Sequence, residues 1–135
     1  MQHILVGYDG SDAATHALER ASRLALAYGC PLTVLTAAAD RLVRKDGVVT
    51  PALDEELGQH TAERGAAHAR DLGVVRVDAR VSLEAPDDAL VQTASEGYDL
   101  VVVGHRGLGA LQEFFLGSTA KSVVDRLRTS VLVVR

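Results

Sequence analysis

The segment between residues 104 and 119 has the residue types and spacing of a phosphate-binding loop. Residues 104–107 are GHRG, and residues 117–119, which follow after nine intervening residues, are GST. Glycine lets the backbone approach a ligand closely. The second group stands where a helix is predicted to begin, so free N–H groups, two hydroxyls and the positive end of the helix dipole meet there. The pattern predicts an anion site that suits a phosphate chain; glycines that serve only as turns are the alternative.

A second polar segment, residues 7–11 with the sequence GYDGS, follows a short apolar run. If that run is a strand of a parallel sheet, Asp9 stands at its carboxyl end, where ligands of such sheets bind. Asp followed by Gly and Ser is also ordinary turn chemistry, so Asp9 capping a turn is the alternative.

Other reactive side chains indicate no catalytic or metal centre. His60 and His68 are eight residues apart with no third ligand in view, which favours exposed helix positions. Cys30 has no CxxC partner and is expected to be a buried, inert thiol, and Lys121 is expected to be a surface lysine rather than a phosphate ligand. Fast phosphoryl transfer needs a fixed lysine, a metal-binding acid and a group that positions water. The sequence shows none of these, so it predicts a binding protein with slow or absent hydrolysis.

Apolar runs and helical periodicities alternate along the whole chain and position these segments. Strands are predicted over 4–8, 32–38, 75–82, 99–104 and 130–135, and helices from 11 or 12 to 29, from 53 or 54 to 72, from 86 to about 97 and from 117 to about 128. Loops are expected over 40–53 and 105–116, the latter with an apolar turn over 111–116. This order predicts one α/β domain over residues 1–135, an open five-stranded parallel sheet with helices on both faces.

Composition and charge exclude several classes of protein. The 135 residues are 47% hydrophobic and only 4% aromatic, and the formal net charge is −4. An acidic chain has no general attraction for nucleic acid, and no apolar run approaches the roughly 20 residues that span a bilayer. The single cysteine cannot form an intrachain disulfide. We therefore expect a cytoplasmic protein with neither nucleic acid nor membrane as a partner.

The chain resembles the universal stress proteins, and specifically their ATP-binding branch. The pattern Gly104-x2-Gly107-x9-Gly117-Ser118 matches that branch without a gap, and the segments ILVGYDGS, DLVVVG, RGLG and VLVVR resemble family segments over essentially the full length. Two departures are His105, where a small residue is common, and Ser130, where proline is frequent. His105 would either crowd the ribose or add a donor to the phosphates.

The resemblance implies a Rossmann-like fold of the adenine nucleotide alpha hydrolase type, with ATP or another adenine nucleotide bound and Mg²⁺ held mainly by the phosphates. The residues it assigns to nucleotide binding are Gly7, Asp9, Ala37, Gly104, Arg106, Gly107, Gly117, Ser118 and Thr119. Gly7 would let the base lie against the backbone, Asp9 would contact the ribose or adenine, and the Ala37 backbone would face the adenine edge. The other six would line the ribose and phosphates.

The last predicted strand, residues 130–135, contains the run VLVV over 131–134, which is apolar on both faces, and lies at an edge of the predicted sheet. An unprotected edge invites pairing with another strand, and the resemblance implies a homodimer formed through Ser130 to Arg135. A loop covering this edge is the alternative. The leading function hypothesis is thus a regulatory nucleotide binder acting as a homodimer; a slow ATPase or nucleotidyl-type enzyme and a nucleotide-free interaction module are the alternatives.

Overall fold

Strands and helices alternate along the chain, as the sequence predicts. The computed structural model describes residues 1–38, 51–106 and 116–135, with residues 51–54 described by their backbone alone. In this part of the chain the strands are β1 (Ile4–Gly7), β2 (Leu32–Ala37), β3 (Val77–Ser82), β4 (Leu100–Gly104) and β5 (Ser130–Val134). The helices are α1 (Asp12–Tyr28), α2 (Pro51–Asp71), α3 (Pro86–Ala94) and α4 (Ser118–Arg126).

The five strands form one parallel sheet in the order β3-β2-β1-β4-β5. The chain runs outward from β1 to β3 and then crosses back to place β4 on the other side of β1. The strand order therefore reverses between β1 and β4, which is where open α/β sheets bind ligands, at the carboxyl ends of the strands. The predicted fold class is confirmed.

Alternate residues of the strands pack into two separate cores. On one face, α1 and α2 cover a cluster that includes Val6 and Leu18, both with no exposed surface. On the other face, α3 and α4 cover a cluster that includes Leu5, Leu90 and Val123. The central strands β1, β2 and β4 are thus buried on both sides, which explains their continuous apolar runs in the sequence. Within the described residues, no helix combines the length and the apolar character needed to cross a membrane.

Several predicted boundaries are wrong by a few residues. The second helix begins at Pro51, not at 53 or 54, because proline fits the first turn of a helix. Val75 is 90% exposed and lies outside the third strand, which begins at Val77. The third and fourth helices end earlier than predicted, at Ala94 and Arg126. The predicted loop over 40–50 and most of the apolar turn over 111–116 lie outside the described residues.

Two glycines inside α2 are explained by close packing. A Cβ added to Gly58 would lie 2.7 Å from Cγ2 of Val81, and one added to Gly65 would lie 2.8 Å from Cδ1 of Tyr8. From the sequence these glycines only weaken the predicted helix. In the fold they let α2 lie directly against β3 and against the aromatic ring that follows β1.

Candidate functional site

The end of β1 is held to its neighbour β2 by two hydrogen bonds. The N–H of Tyr8 donates to the carbonyl of Leu35 at 2.9 Å, and the buried Thr36 hydroxyl donates to the carbonyl of Tyr8 at 2.7 Å. The Ala37 that ends β2 therefore lies on the strand next to Gly7 and Asp9. These contacts place the predicted site residues Gly7, Asp9 and Ala37 together at the carboxyl ends of two neighbouring strands.

Asp9 caps the turn that leads into α1. Its Oδ1 accepts the Ser11 N–H at 2.9 Å, Gly10 supplies the positive φ of 84°, and the Ser11 hydroxyl accepts the Ala14 N–H as the helix N-cap. The turn-capping alternative for Asp9 is thus observed. Its contact with a ribose or base stays a prediction.

Gly7 and Gly104 both allow a helix to approach a strand closely. A Cβ on Gly7 would lie 3.3 Å from Cδ1 of Leu90 in α3. A Cβ on Gly104 would lie only 2.9 Å from the carbonyl carbon and oxygen of Ala13 in α1. The backbone contact accounts for glycine at position 104, whereas at position 7 a Cβ would meet only the end of a leucine side chain. The approach of both glycines to a ligand stays a prediction.

The start of α4 is fixed at the carboxyl end of β4. The N–H of His105 donates to the carbonyl of Val134 at 2.7 Å, and the N–H of Gly117 donates to the carbonyl of His105 at 2.8 Å. Gly117 is the N-cap residue and provides no side-chain cap, and the first turn contains no acidic residue. The N–H groups of the first turn have no acceptor within the helix, so this turn, with exposed Ser118 and half-buried Thr119, can receive an anion.

The remaining predicted positions have mixed outcomes. Gly107 lies outside the described residues. Arg106, which precedes it, is described and is half-buried. His105 is only 7% exposed, so its ring is directed into the protein rather than into solvent. Lys121 is exposed, in agreement with a surface lysine.

The sequence predicts no functional role for three other reactive side chains. Cys30 is buried, and its burial raises the thiol pKa, as expected for an inert cysteine. His68 has its Nε2 3.2 Å from Oε1 of Glu19 in α1, and His60 is exposed. Within the described residues, no three His, Cys, Asp or Glu side chains are grouped as metal ligands.

The whole chain, residues 1–135, matches the sequence model of the universal stress protein family. The chain belongs to this family. A curated universal stress protein of Thermus aquaticus is 40% identical over 136 residues, which are 98% of this chain and 97% of the relative.

Solved structures of universal stress proteins superpose over nearly the full chain. One, crystallised in complex with cAMP, is 33% identical with a TM-score of 0.73, and covers 99% of this chain and 97% of its own. Another, from Lactobacillus plantarum, is 29% identical with a TM-score of 0.72, and covers 99% of this chain and 97% of its own. The family resemblance stated from the sequence motifs is confirmed.

The sequence motifs of this universal stress protein do not identify a polar contact between α3 and α4. Asp87 in the first turn of α3 accepts a hydrogen bond from the hydroxyl of Ser122 at 2.6 Å, and Arg126 lies at 3.1 Å from the same oxygen. The spacing of Ser122 and Arg126, four residues apart on one helix face, was the available signal. Their partner Asp87 is 35 residues before Ser122 and 39 before Arg126, and it is identified only by the fold.

Proposed function

We propose that this universal stress protein binds an adenine nucleotide across the carboxyl ends of β1 and β4 and acts as a regulatory binder. The observation that carries the proposal is the first turn of α4, whose N-cap Gly117 is hydrogen-bonded to His105 directly after β4. This fixes a helix N-terminus, with no side-chain cap from the N-cap residue Gly117, beside the point where strand order reverses. Such a turn attracts phosphate through its N–H groups and its dipole. The relative crystallised with cAMP supports adenine as the base.

In this proposal the residues divide into a phosphate side and a base side. Gly117, Ser118 and Thr119 receive the phosphates through backbone N–H groups and hydroxyls. Gly104, Arg106 and Gly107 line the ribose and phosphates by their backbone, while Gly7, Asp9 and Ala37 face the ribose and adenine.

A divalent ion is an accessory in this proposal. The first turn of α4 has no acidic residue, and the Asp9 carboxylate already accepts the Ser11 N–H. Mg²⁺ would therefore be held chiefly by the phosphates and water, which is its common mode of binding with nucleotides. With so few charged groups assigned to the phosphates, we propose that hydrolysis is slow or absent.

Binding is tested by isothermal titration with ATP, ADP and cAMP. We expect saturable binding of at least one of them, and a rise in melting temperature at saturating ligand. Ser118→Ala removes one hydroxyl donor to a charged phosphate and should weaken ATP binding about ten-fold. Ser95→Ala is the matched control, because Ser95 is an exposed serine at the C-terminal end of α3, whereas the first turn of α3 contacts α4. No binding of any of the three ligands at millimolar concentration would contradict the proposal.

We also propose that two copies associate through β5. This strand is an edge of the sheet, and Val131, Leu132 and Val133 remain half-buried in the single chain. Edge pairing would bury these side chains and satisfy the outer backbone groups. Sedimentation equilibrium should give twice the 14.3 kDa mass of the chain; a monomer at high micromolar concentration would contradict dimer formation.

A further inference from the structure

A polar cluster of Asp87, Ser122 and Arg126 joins α3 to α4. Oδ2 of Asp87 accepts the Ser122 hydroxyl at 2.6 Å and Nη1 of Arg126 at 3.1 Å. The same Nη1 lies 2.8 Å from Oδ1 of Asp88. The hydrogen bond from Ser122 is the main cause of a lowered Asp87 pKa, to which the Asp88 N–H and Arg126 add. The carboxylate is therefore charged at neutral pH and accepts from both partners.

Apart from this cluster, α4 has few anchors. It is a nine-residue helix whose buried side chains are only Ala120 and Val123. Among the residues described ahead of this helix, His105 accepts a hydrogen bond from the Gly117 N–H. Ala120 and Val123 are small side chains with few packed atoms, and the charged hydrogen bond made by Ser122, one turn after Ser118, restricts where the first turn of α4 points.

The partner helix α3 also contacts the other half of the proposed site. Leu90, three residues after Asp87 and buried, is the side chain nearest to Gly7 at the end of β1. Residues three apart lie on neighbouring positions of one helix face. Helix α3 thus contacts the carboxyl end of β1 through Leu90 and α4 through Asp87, and so relates the base side of the site to the phosphate side.

We infer that Asp87 is a positioning residue for the nucleotide phosphates: by holding Ser122 and Arg126 it aligns the first turn of α4 with the carboxyl end of β1. This inference rests on the proposed function, because it assigns the phosphates to that turn. It predicts that breaking the cluster weakens binding of the phosphates but not of the base and ribose.

The experiment compares ATP with adenosine, which lacks phosphate, by isothermal titration on the full chain. Ser122→Ala and Asp87→Asn should each weaken ATP binding about five-fold and leave adenosine binding within about two-fold of wild type. Ser122→Thr keeps the hydroxyl and should restore the ATP affinity. Asp88→Asn is the matched control, because Asp88 is the adjacent acid and contacts Arg126 but not Ser122; its ATP affinity should stay within about two-fold.

Three results would overturn the inference. These are unchanged ATP affinity in both cluster variants, an equal loss for ATP and adenosine, and failure of Ser122→Thr to restore binding. Amide hydrogen exchange of residues 118–121 without ligand is a second, independent measurement, and it should be about ten-fold faster in Ser122→Ala. If the wild type binds no nucleotide, the proposed function and the phosphate role fail together. Unchanged exchange would instead show that the cluster does not hold α4, whatever the protein binds.

Discussion

Gly104→Ala should lower the free energy of unfolding by about 3 kcal/mol, the upper range for overpacking a close contact. The new Cβ would lie 2.9 Å from the backbone carbon and oxygen of Ala13, and backbone cannot rotate aside as a side chain can. Moving α1 away would open the core around Ala17 and Leu18, which have no exposed surface. Urea unfolding should show this loss of free energy, and thermal unfolding should give a melting temperature lower by about 10 °C.

Gly29→Ala separates this packing effect from backbone conformation. Gly29 ends α1 with φ of 63°, and a Cβ there would meet nothing within 4 Å. Its substitution therefore carries only the conformational cost of a left-handed residue, about 1 kcal/mol. Gly104 is not among the positive-φ glycines, so its cost arises from contact alone. A loss at Gly104 no larger than the loss at Gly29 would show that α1 does not press on β4 in this way.

The architecture of this protein could be predicted from the sequence because burial on both faces leaves a clear mark on the central strands. The run LVVVG of β4 and the run LTVLTA of β2 contain no exposed position. Errors occurred where a local pattern continued past its element. The alternation that marks β3 extends back to Val75, yet Val75 is 90% exposed, because alternation alone does not show where pairing with β2 begins at Leu32 and Val77.

The candidate site could be predicted in place but not in its supporting contacts. Glycine at 104 and a helix beginning at Ser118 are visible in the sequence, and topology brings both to one edge of the sheet. Which atom a glycine faces is set by tertiary packing, so Ala13 next to Gly104 and Leu90 next to Gly7 could not be predicted. The same holds for Asp87 and Ser122, whose contact depends on the angle between two helices.

At the opposite, amino-terminal edge of the sheet, a chain of hydrogen bonds is expected to make stability depend on pH. The Tyr98 hydroxyl donates to Oγ1 of Thr33 at 3.0 Å, and that oxygen lies 2.9 Å from Nε2 of His3. Thr33 is 1% exposed. A neutral imidazole with an unprotonated Nε2 lets the Thr33 hydroxyl donate to His3 while its oxygen accepts from Tyr98.

Protonation of His3 would make its Nε2 a donor, and the hydrogen of the buried Thr33 hydroxyl would then lose its acceptor. Burial lowers the pKa of His3 below 6.5; the carboxylates of Asp78 and Asp99 oppose the shift and Arg76 adds to it. Between the lowered folded pKa and 6.5 the unfolded chain binds more protons, so stability rises with pH in that window. The contribution of His3 is therefore present above about pH 6.5 and is lost as the pH falls from there through the folded pKa.

Thr33→Val should lower the free energy of unfolding by about 2 kcal/mol at neutral pH, because it leaves Nε2 of His3 and the Tyr98 hydroxyl without their shared partner. Thr33→Ser is the matched control, since it keeps the hydroxyl. His3→Gln offers an amide oxygen to the same hydroxyl but cannot titrate, so its loss of stability between about pH 7.5 and about pH 5 should be smaller than that of the wild type. Urea unfolding at both pH values measures the loss in each protein. Subtracting the loss in His3→Gln from the loss in the wild type cancels the contributions of the other histidines. Equal losses of stability between the two pH values in wild type and His3→Gln would mean that protonation of His3 does not affect stability. Equal stability of Thr33→Val and Thr33→Ser would mean that the hydroxyl does not join β2 to the start of β1.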